Sequence, residues 1–333
     1  MEYVTILLFF TFGVLLIIKG GDWFIDSAVG IARLTKLPDV LIGATIVSVA
    51  TTLPELLVST IATHREYYDV AIGNVVGSLV CNIGLILGIA AIISPIKTKS
   101  AGFAIKGYFM ILCGGVLLYL FRDTIITPGE GNILLLLFLI YIAMNILEFK
   151  SSEKDKSNQN NKPSIYNMGI VGIIVRFTAG AVLIIVGARL LVDNGVILAD
   201  AIGVPDQIIG VTLIALGTSL PELITAISAI LKGHGEISAG NILGANILNM
   251  VMALGICSKI GKQGLVISYQ NIMLGATIHN VPQTLYLDMP VALLLMSIVV
   301  VSGSIKGVIN RKIGLTILSI YMLYIIILGK LFI

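Results

Sequence analysis

Long apolar runs alternate with short polar stretches along the whole chain, and each run is long enough to cross a membrane. A helix needs about 20 apolar residues to span the hydrocarbon core of a bilayer. The pattern predicts a first span at Tyr3–Ile18 that runs on into Gly20-Gly21-Asp22-Trp23. A polar turn at Arg33–Asp39 leads to a second span, Val40–Thr63, interrupted around Thr51–Pro54. Val70–Ser94, Ile105–Phe121 and Asn132–Leu147 follow as spans three to five. Lys150–Lys162 is a run of Ser, Asn, Gln and mixed charges that cannot bury a core, and it predicts a flexible loop.

The pattern then restarts. Spans six to eight are Ile170–Val192, Ile208–Leu231 and Ile237–Cys257, and Pro290–Ile305 and Ile313–Leu331 make nine and ten. The mixed segment Lys259–Leu287 leaves loop, interfacial helix and short re-entrant piece all open.

Composition agrees. With 57% hydrophobic residues, 12% charged residues and a mean hydropathy of +1.04, the chain is too apolar for a soluble domain. Soluble chains carry about twice that charged fraction. The ~10-residue alternating segments of a transmembrane β-barrel are absent. The net charge of +3 gives no reason to expect nucleic acid, because the basic residues sit between the spans. No basic stretch precedes the first apolar run, so Met1–Lys19 reads as a retained span rather than a cleaved signal. Cys81, Cys113 and Cys257 each lie inside an apolar run and read as reduced packing residues. Trp23 reads as an interface anchor or a packing residue against the second span, and His64, His234 and His279 as solvated loop residues.

Loop charge orients the spans. If the first loop faces the cytoplasm, the inside connections hold 13 of the 21 Lys and Arg, four of them in the central loop. The positive-inside rule then places both termini outside, in the cell membrane, and five spans before the central loop give the two halves opposite orientations.

Two stretches repeat. A shift of 167 residues aligns Glu55 with Glu222, Asn82 with Asn249, Gly73-Asn74 with Gly240-Asn241, and Pro38-Asp39 with Pro205-Asp206. Across Pro38–Thr60 and Pro205–Ile227, ten of 23 positions are identical without a gap. Chance likeness between apolar helices would match Leu, Ile and Val, but would not keep Thr, Pro and Glu in register. The fold class is therefore an all-α integral membrane protein. Ten transmembrane helices form two inverted five-helix repeats with broken helices at the centre, residues 1–149 and 165–333 around a loop at 150–164. That is the architecture of secondary transporters.

The chemistry sits at the breaks. Pro54 and Pro221 each remove a backbone donor, so the turn before each is expected to open. Opened turns free carbonyl oxygens near Ser48–Thr51 and Ala215–Thr218, and inside a bilayer such oxygens need a partner. Thr51, Thr52, Thr218 and Ser219 add hydroxyls, and Glu55 and Glu222 add carboxylates. This all-oxygen set suits hard cations such as Na⁺ and Ca²⁺, and without His or Cys it does not suit zinc or copper. Gly73-Asn74-x-x-Gly77 and Gly240-Asn241-x-x-Gly244 space glycines for close helix packing. Asn82, Asn249 and the Ser78 hydroxyl extend the polar set, whereas Ala245, the counterpart of Ser78, offers none. Asp22 aligns with Arg189 and Arg33 with Asp200, as solvated charges or cross-repeat pairs.

Gly217-Thr218-Ser219-Leu220-Pro221-Glu222, its partner Ala50–Glu55 and the two Gly-Asn-x-x-Gly elements resemble the α-repeats of the calcium/cation antiporter superfamily. The likeness is to the small prokaryotic sodium/calcium exchangers without a regulatory domain. It implies no cofactor, Ca²⁺ and Na⁺ as transported ions, four central cation sites in a diamond, and first and sixth spans that slide against a fixed core. Glu55 and Glu222 would be shared ligands. Thr51 and Thr218 would give hydroxyl or backbone oxygen, with Ser48 and Ala215 giving carbonyls. Thr52, Ser78 and Ser219 would line peripheral sodium sites, and Asn82 and Asn249 the middle.

Three positions depart from the family: Ala50-Thr51-Thr52 where Gly-Thr-Ser is usual, Ala245 where serine is common, and Asn249 where several members carry aspartate. They leave open a Ca²⁺/H⁺ or other cation/H⁺ exchanger of the same fold. A cation channel and an intramembrane two-carboxylate enzyme are more distant readings. The second demands aspartates close enough to share a proton.

Overall fold

The computed structural model describes residues 2–34, 48–98, 101–153, 169–231, 235–274 and 277–332. The helices are α1 (Glu2–Leu34), α2 (Ser48–His64), α3 (Tyr68–Ile93), α4 (Ala101–Leu120) and α5 (Pro128–Glu153). Residues 154–168, and with them most of the predicted central loop, lie outside the described residues; after them come α6 (Ile170–Ile202), α7 (Asp206–Thr218), α8 (Leu220–Leu231) and α9 (Gly235–Leu248, continuing to Ile260). α10 (Met289–Lys306) and α11 (Arg311–Phe332) close the chain.

Among the described residues, eight helices are long and apolar enough to cross a membrane. α7 and α8, bent by 44° at their junction, make a ninth span if taken together. The second predicted span is represented by α2, and its first third, residues 40–47, lies outside the described residues together with the Pro38-Asp39 pair before it.

α1 and α6 are each 33 residues long, about 50 Å of helix, so they must tilt or project beyond a ~30 Å hydrocarbon core. The sequence pattern predicts shorter spans, Tyr3–Ile18 running on into Gly20-Gly21-Asp22-Trp23, and Ile170–Val192. In the fold Gly20 is a crossing point: a Cβ there would lie 2.8 Å from the Gly180 carbonyl oxygen. Gly13 meets the Gly187 carbonyl in the same way, at 2.9 Å. The contacts run in opposite order along the two helices, so α1 and α6 are antiparallel. The 167-residue shift carries Gly13 onto Gly180 and Gly20 onto Gly187. Outward, Leu8, Phe12 and Leu15 on α1 and Val171, Ile174 and Val175 on α6 are exposed, as lipid-facing side chains are.

α3 and α9 form the interior. Of their most apolar windows 78% and 83% are buried, against 28% and 22% for α1 and α6. Around them α4 packs on α10, α11 on the end of α3, and α5 on the end of α9. Short ladders repeat the exchange. β1 (Ile96–Lys97), after α3, pairs with β6 (Val308–Ile309), after α10. β3 (Leu265–Val266), after α9, pairs with β2 (Ile125–Ile126), after α4. Each ladder ties the third helix of one half to the fourth of the other.

The mixed segment between spans eight and nine contains a hairpin. β4 (Gln270–Leu274) pairs with β5 (Thr277–Val281), Gln270 opposite Val281, and β4 lies against α11. His279 is exposed on β5 and His64 at the end of α2, while His234 lies outside the described residues. All three cysteines are buried and free.

Candidate functional site

The two repeated motifs differ locally. At Ser219 the helix breaks: φ −84° and ψ 4° end α7, and α8 begins with Leu220-Pro221-Glu222. The matching stretch of α2 does not break. Pro54 lies inside a continuous helix from Ser48 to His64, contrary to the predicted interruption at Thr51–Pro54. Residue choice explains the difference. Ala50 stands where the second motif has Gly217, and glycine costs about 1 kcal/mol more than alanine in a helix interior. The Thr51 and Thr52 hydroxyls also fold back onto the Ser48 carbonyl, at 3.2 and 2.8 Å.

Both carboxylates are fully buried, and Glu55 lies within electrostatic reach of Glu222. The long-range match at a shift of 167 therefore becomes a spatial meeting. Ser48, Thr51, Thr52, Ser78, Asn82, Ala215, Thr218, Ser219 and Asn249 are buried as well. The Ser219 hydroxyl lies 3.3 Å from Glu55 Oε1 and 3.1 Å from Ser78 Oγ. The Thr218 hydroxyl reaches the Ala215 carbonyl at 3.2 Å and Asn74 Oδ1 at 3.0 Å. The Ser48 and Ala215 carbonyls thus accept from hydroxyls of their own motif, and Ala215 also accepts from the Ser219 backbone N–H at 3.0 Å.

Asn74 belongs to the repeat but not to the predicted set of site residues, and it clips the two motifs together. Its Nδ2 donates to the Glu55 carbonyl at 3.2 Å and to Ser59 Oγ at 2.8 Å, while its Oδ1 accepts from Thr218. Asn241 Oδ1 accepts from the Ser48 hydroxyl at 3.0 Å. Sequence reasoning missed Asn246, whose Oδ1 accepts from Asn82 Nδ2 at 3.0 Å. Its counterpart at the 167-residue shift is Leu79, so comparison of the repeats hides it.

Six buried atoms around this meeting point have no hydrogen-bond partner: Glu55 Oε2, both Glu222 carboxylate oxygens, Asn82 Oδ1, and Asn249 Oδ1 and Nδ2. Buried polar atoms are nearly always paired in native proteins, so a group of orphans on matched residues points to a ligand. Five of the six are oxygens, which fits hard cations. Among the described residues no group of three or more His, Cys, Asp or Glu side chains is placed to hold a transition metal.

Helix geometry supports the placement. Asn82 lies in a π-helical stretch, Cys81–Leu87, and Asn249 opens another, Asn249–Ala253. A π turn re-aims side chains within a helix and recurs at functional sites. Gly73 and Gly77 let α3 press on α7: a Cβ at Gly73 would lie 2.9 Å from the Gln207 carbonyl, and one at Gly77 would strike the Val211 backbone. In the second half Gly244 leaves room for the Ser48 hydroxyl, 3.0 Å from where a Cβ would sit.

A cavity of about 570 Å³ lies at the end of α2, lined by Thr60, Ile61, His64, Arg65 and Arg189. Asp22 is exposed, as a solvated charge is, and the Arg33 and Asp200 side chains lie outside the described residues. Arg65 pairs with Asp193, and Arg176 approaches Asp26 at 3.9 Å. Asp26 and Asp193 are themselves 167 residues apart. Trp23 sits beneath two cations, Lys19 at 5.6 Å and Arg176 at 5.9 Å from its ring centre.

Known proteins are similar to this chain over most of its length. The sodium/calcium exchanger protein family matches residues 5–147 and 172–330. An uncharacterised membrane protein of Methanocaldococcus jannaschii is 36% identical over 255 residues, covering 75% of this chain and 80% of that protein. The sodium/calcium exchanger MaX1 of Methanosarcina acetivorans is 30% identical over 282 residues, covering 73% and 80%. The solved structure of the sodium-calcium exchanger NCX_Mj soaked with 2.5 mM Na⁺ and 10 mM Sr²⁺ superposes with a TM-score of 0.66 at 29% identity, over 97% of this chain and 99% of that one.

Proposed function

The chain belongs to the sodium/calcium exchanger protein family, a family of multi-pass membrane cation antiporters, and from that premise we propose that it exports Ca²⁺ against inward Na⁺ by alternating access. Glu55 and Glu222 are the shared ligands. One observation supports the reading: oxygens of Glu55, Glu222, Asn82 and Asn249, two residues from each half, are buried without a hydrogen-bond partner. Thr51 and Thr218, with the Ser48 and Ala215 carbonyls, complete the central shell. Thr52, Ser78 and Ser219 line peripheral sodium positions.

The architecture that accompanies this reading is ten spans in two inverted repeats, residues 1–149 and 165–333 about a cytoplasmic loop at 150–164, with both termini outside the cell membrane. The family match in two blocks, the exchanged ladders and the reciprocal glycine crossing of α1 and α6 support it. The partners are the bilayer and the transported cations.

Two ionised glutamates neutralise one Ca²⁺. Against three Na⁺ they leave one positive charge, so three-for-one exchange is electrogenic, at ~2.3 kcal/mol per charge per 100 mV. Ala245 and Asn249 favour a second reading in particular. A position without its hydroxyl and another without a carboxylate can lower the number of Na⁺ carried, with a proton on a glutamate taking its place.

The test is ⁴⁵Ca²⁺ flux in proteoliposomes under imposed Na⁺, K⁺ and H⁺ gradients. Flux that follows the Na⁺ gradient, and not a pH gradient alone, is expected. Flux driven by pH alone would move the assignment to cation/H⁺ exchange, and flux without counter-transport would make the protein a channel.

A further inference from the structure

Away from the glutamate pair, a second carboxylate is buried in a span without a cationic partner. Asp288, at the start of α10, is fully buried. Among the described residues no Lys, Arg or His forms an ion pair with it; the pairs formed are Arg65–Asp193, Lys106–Glu148, Arg176–Asp26 and Lys262–Glu66. Neutral groups from two helices and a connecting turn surround it instead. Gln283 Nε2 donates to both Asp288 oxygens, at 3.1 and 3.3 Å. Tyr324 on α11 donates its hydroxyl to Oδ1 at 2.9 Å, and Gln207 in the first turn of α7 donates its Nε2 to Oδ2 at 3.2 Å. Gln207 also reaches the Thr284 hydroxyl.

Both glutamines are buried, and the amide oxygen of each, Gln207 Oε1 and Gln283 Oε1, has no hydrogen-bond partner. A lone carboxylate in a membrane span is costly and needs a counter-charge. In this structure the pocket presents N–H and O–H donors to Asp288, and the unpartnered amide oxygens belong to the opposite ends of the same two side chains. Turning each amide end over exchanges nitrogen for oxygen at Asp288. Two amide oxygens facing a carboxylate repel it, unless a cation lies between them. The Thr284 and Tyr324 hydroxyls then complete an all-oxygen shell around one negative charge. That charge balances a monovalent ion, whereas a divalent ion would leave a net charge buried.

We propose that Asp288, Gln207, Gln283, Thr284 and Tyr324 form a second cation site, for one alkali-metal ion, separate from the Glu55–Glu222 site. The separation follows from the helix. Thr218 lies eleven residues beyond Gln207 along α7, about 17 Å at the α-helical rise. The site ties the outer end of α7 to α10 and α11, while the other end of α7 carries the transport motif. An ion held here acts on the transport helix from the far end without being the cargo.

The experiment is equilibrium binding of ²²Na⁺ and ⁸⁶Rb⁺ to the purified full-length protein carrying Glu55→Gln and Glu222→Gln. That background removes the transport site, so failure here leaves the exchange reading untouched. One bound ion per chain is expected for at least one of the two cations, and it is lost when Asp288→Asn is added. No binding of either cation overturns the proposal, as does binding that survives Asp288→Asn. Tyr324→Phe keeps the ring packing and removes one oxygen, so it guards against a misfolded Asp288 variant. It should weaken binding several-fold, and unchanged affinity would also overturn the site. Saturating cation should raise the melting temperature of the Glu55→Gln, Glu222→Gln protein by several degrees over choline at equal ionic strength, by mass action on the folded state.

Discussion

The two halves share a motif but use it differently. In the second half, Gly217-Thr218-Ser219 breaks the helix and aims the Ser219 hydroxyl at Glu55 and Ser78. In the first, Ala50-Thr51-Thr52 keeps the helix whole, and its hydroxyls turn back on the Ser48 carbonyl. The difference carries through to the neighbours. Ser219 has Ser78 beside it, whereas the symmetric partner of Ser78 is Ala245. Asn74 finds Ser59, whereas the counterpart of Ser59 is Ala226. A near-symmetric scaffold thus holds an asymmetric set of oxygens, richer in hydroxyls on the Ser78 side. An exchanger of unlike ions needs positions of unequal chemistry, and the repeats supply them by drifting at three or four residues.

The largest expected effect tests what the halves have in common. Glu55→Gln and Glu222→Gln should each lower Na⁺-driven ⁴⁵Ca²⁺ flux by about 100-fold or more, since losing about 2.7 kcal/mol of ion binding costs that factor. Retained flux in either variant would show that the halves are not equal partners at the centre. Next comes the asymmetry itself. Ala245→Ser should steepen the Na⁺ dependence of flux and Ser78→Ala should flatten it. If the two substitutions have equal and negligible effects, the hydroxyl inventory is not what distinguishes the halves. Asn249→Asp adds a third carboxylate to the Glu55–Glu222 site, so its flux should fall on mild acidification by more than the parent's does.

The packing glycines give smaller effects, read as stability. Gly77→Ala drives a methyl into the Val211 backbone and should cost about 1–3 kcal/mol by overpacking. Gly217→Ala meets only side chains, Val14 at 3.2 Å and Leu191 at 3.8 Å, and it should straighten the α7–α8 junction toward the form α2 takes. Thermal melting separates the two. The smallest effect belongs to the loop pair of Glu66 and Lys262, where a hydrogen bond and the charge of Lys262 hold the Glu66 carboxyl below its usual range. Any stability it gives is present above the unfolded carboxylate range and disappears as pH falls through the lowered value. Both groups are solvated, so Lys262→Ala should leave the melting temperature unchanged within error at neutral pH.

Much of this site is legible in the sequence because intramembrane carboxylates, prolines and threonines are rare enough that a register match between them means something. The register alone pairs Glu55 with Glu222 across 167 residues. Features without a repeat signature are not legible. Asn246 is matched by Leu79, and Gln207 by Val40. Asp288 follows a mixed segment whose two short strands are too brief to fix a period. The length of α1 escapes the pattern because glycine has two meanings, helix end and close crossing, and only the partner helix decides between them. The predicted break at Pro54 failed because a missing donor is a permission to bend, not a requirement. The residues around it, Ala50 and Thr52, decide.

The reciprocal glycine crossing of α1 and α6 has a consequence for how the protein is made. The surface that receives Gly13 and Gly20 belongs to a helix encoded roughly 170 residues later. At ribosomal speeds of about 5–20 residues per second, α1 must wait on the order of ten to thirty seconds in the membrane before its mate arrives. During that interval its glycine face stands open to lipid or to insertion machinery. Neither half is a finished product when it leaves the ribosome. Separately translated halves, 1–149 and 165–333, should therefore accumulate only when synthesised in the same cell.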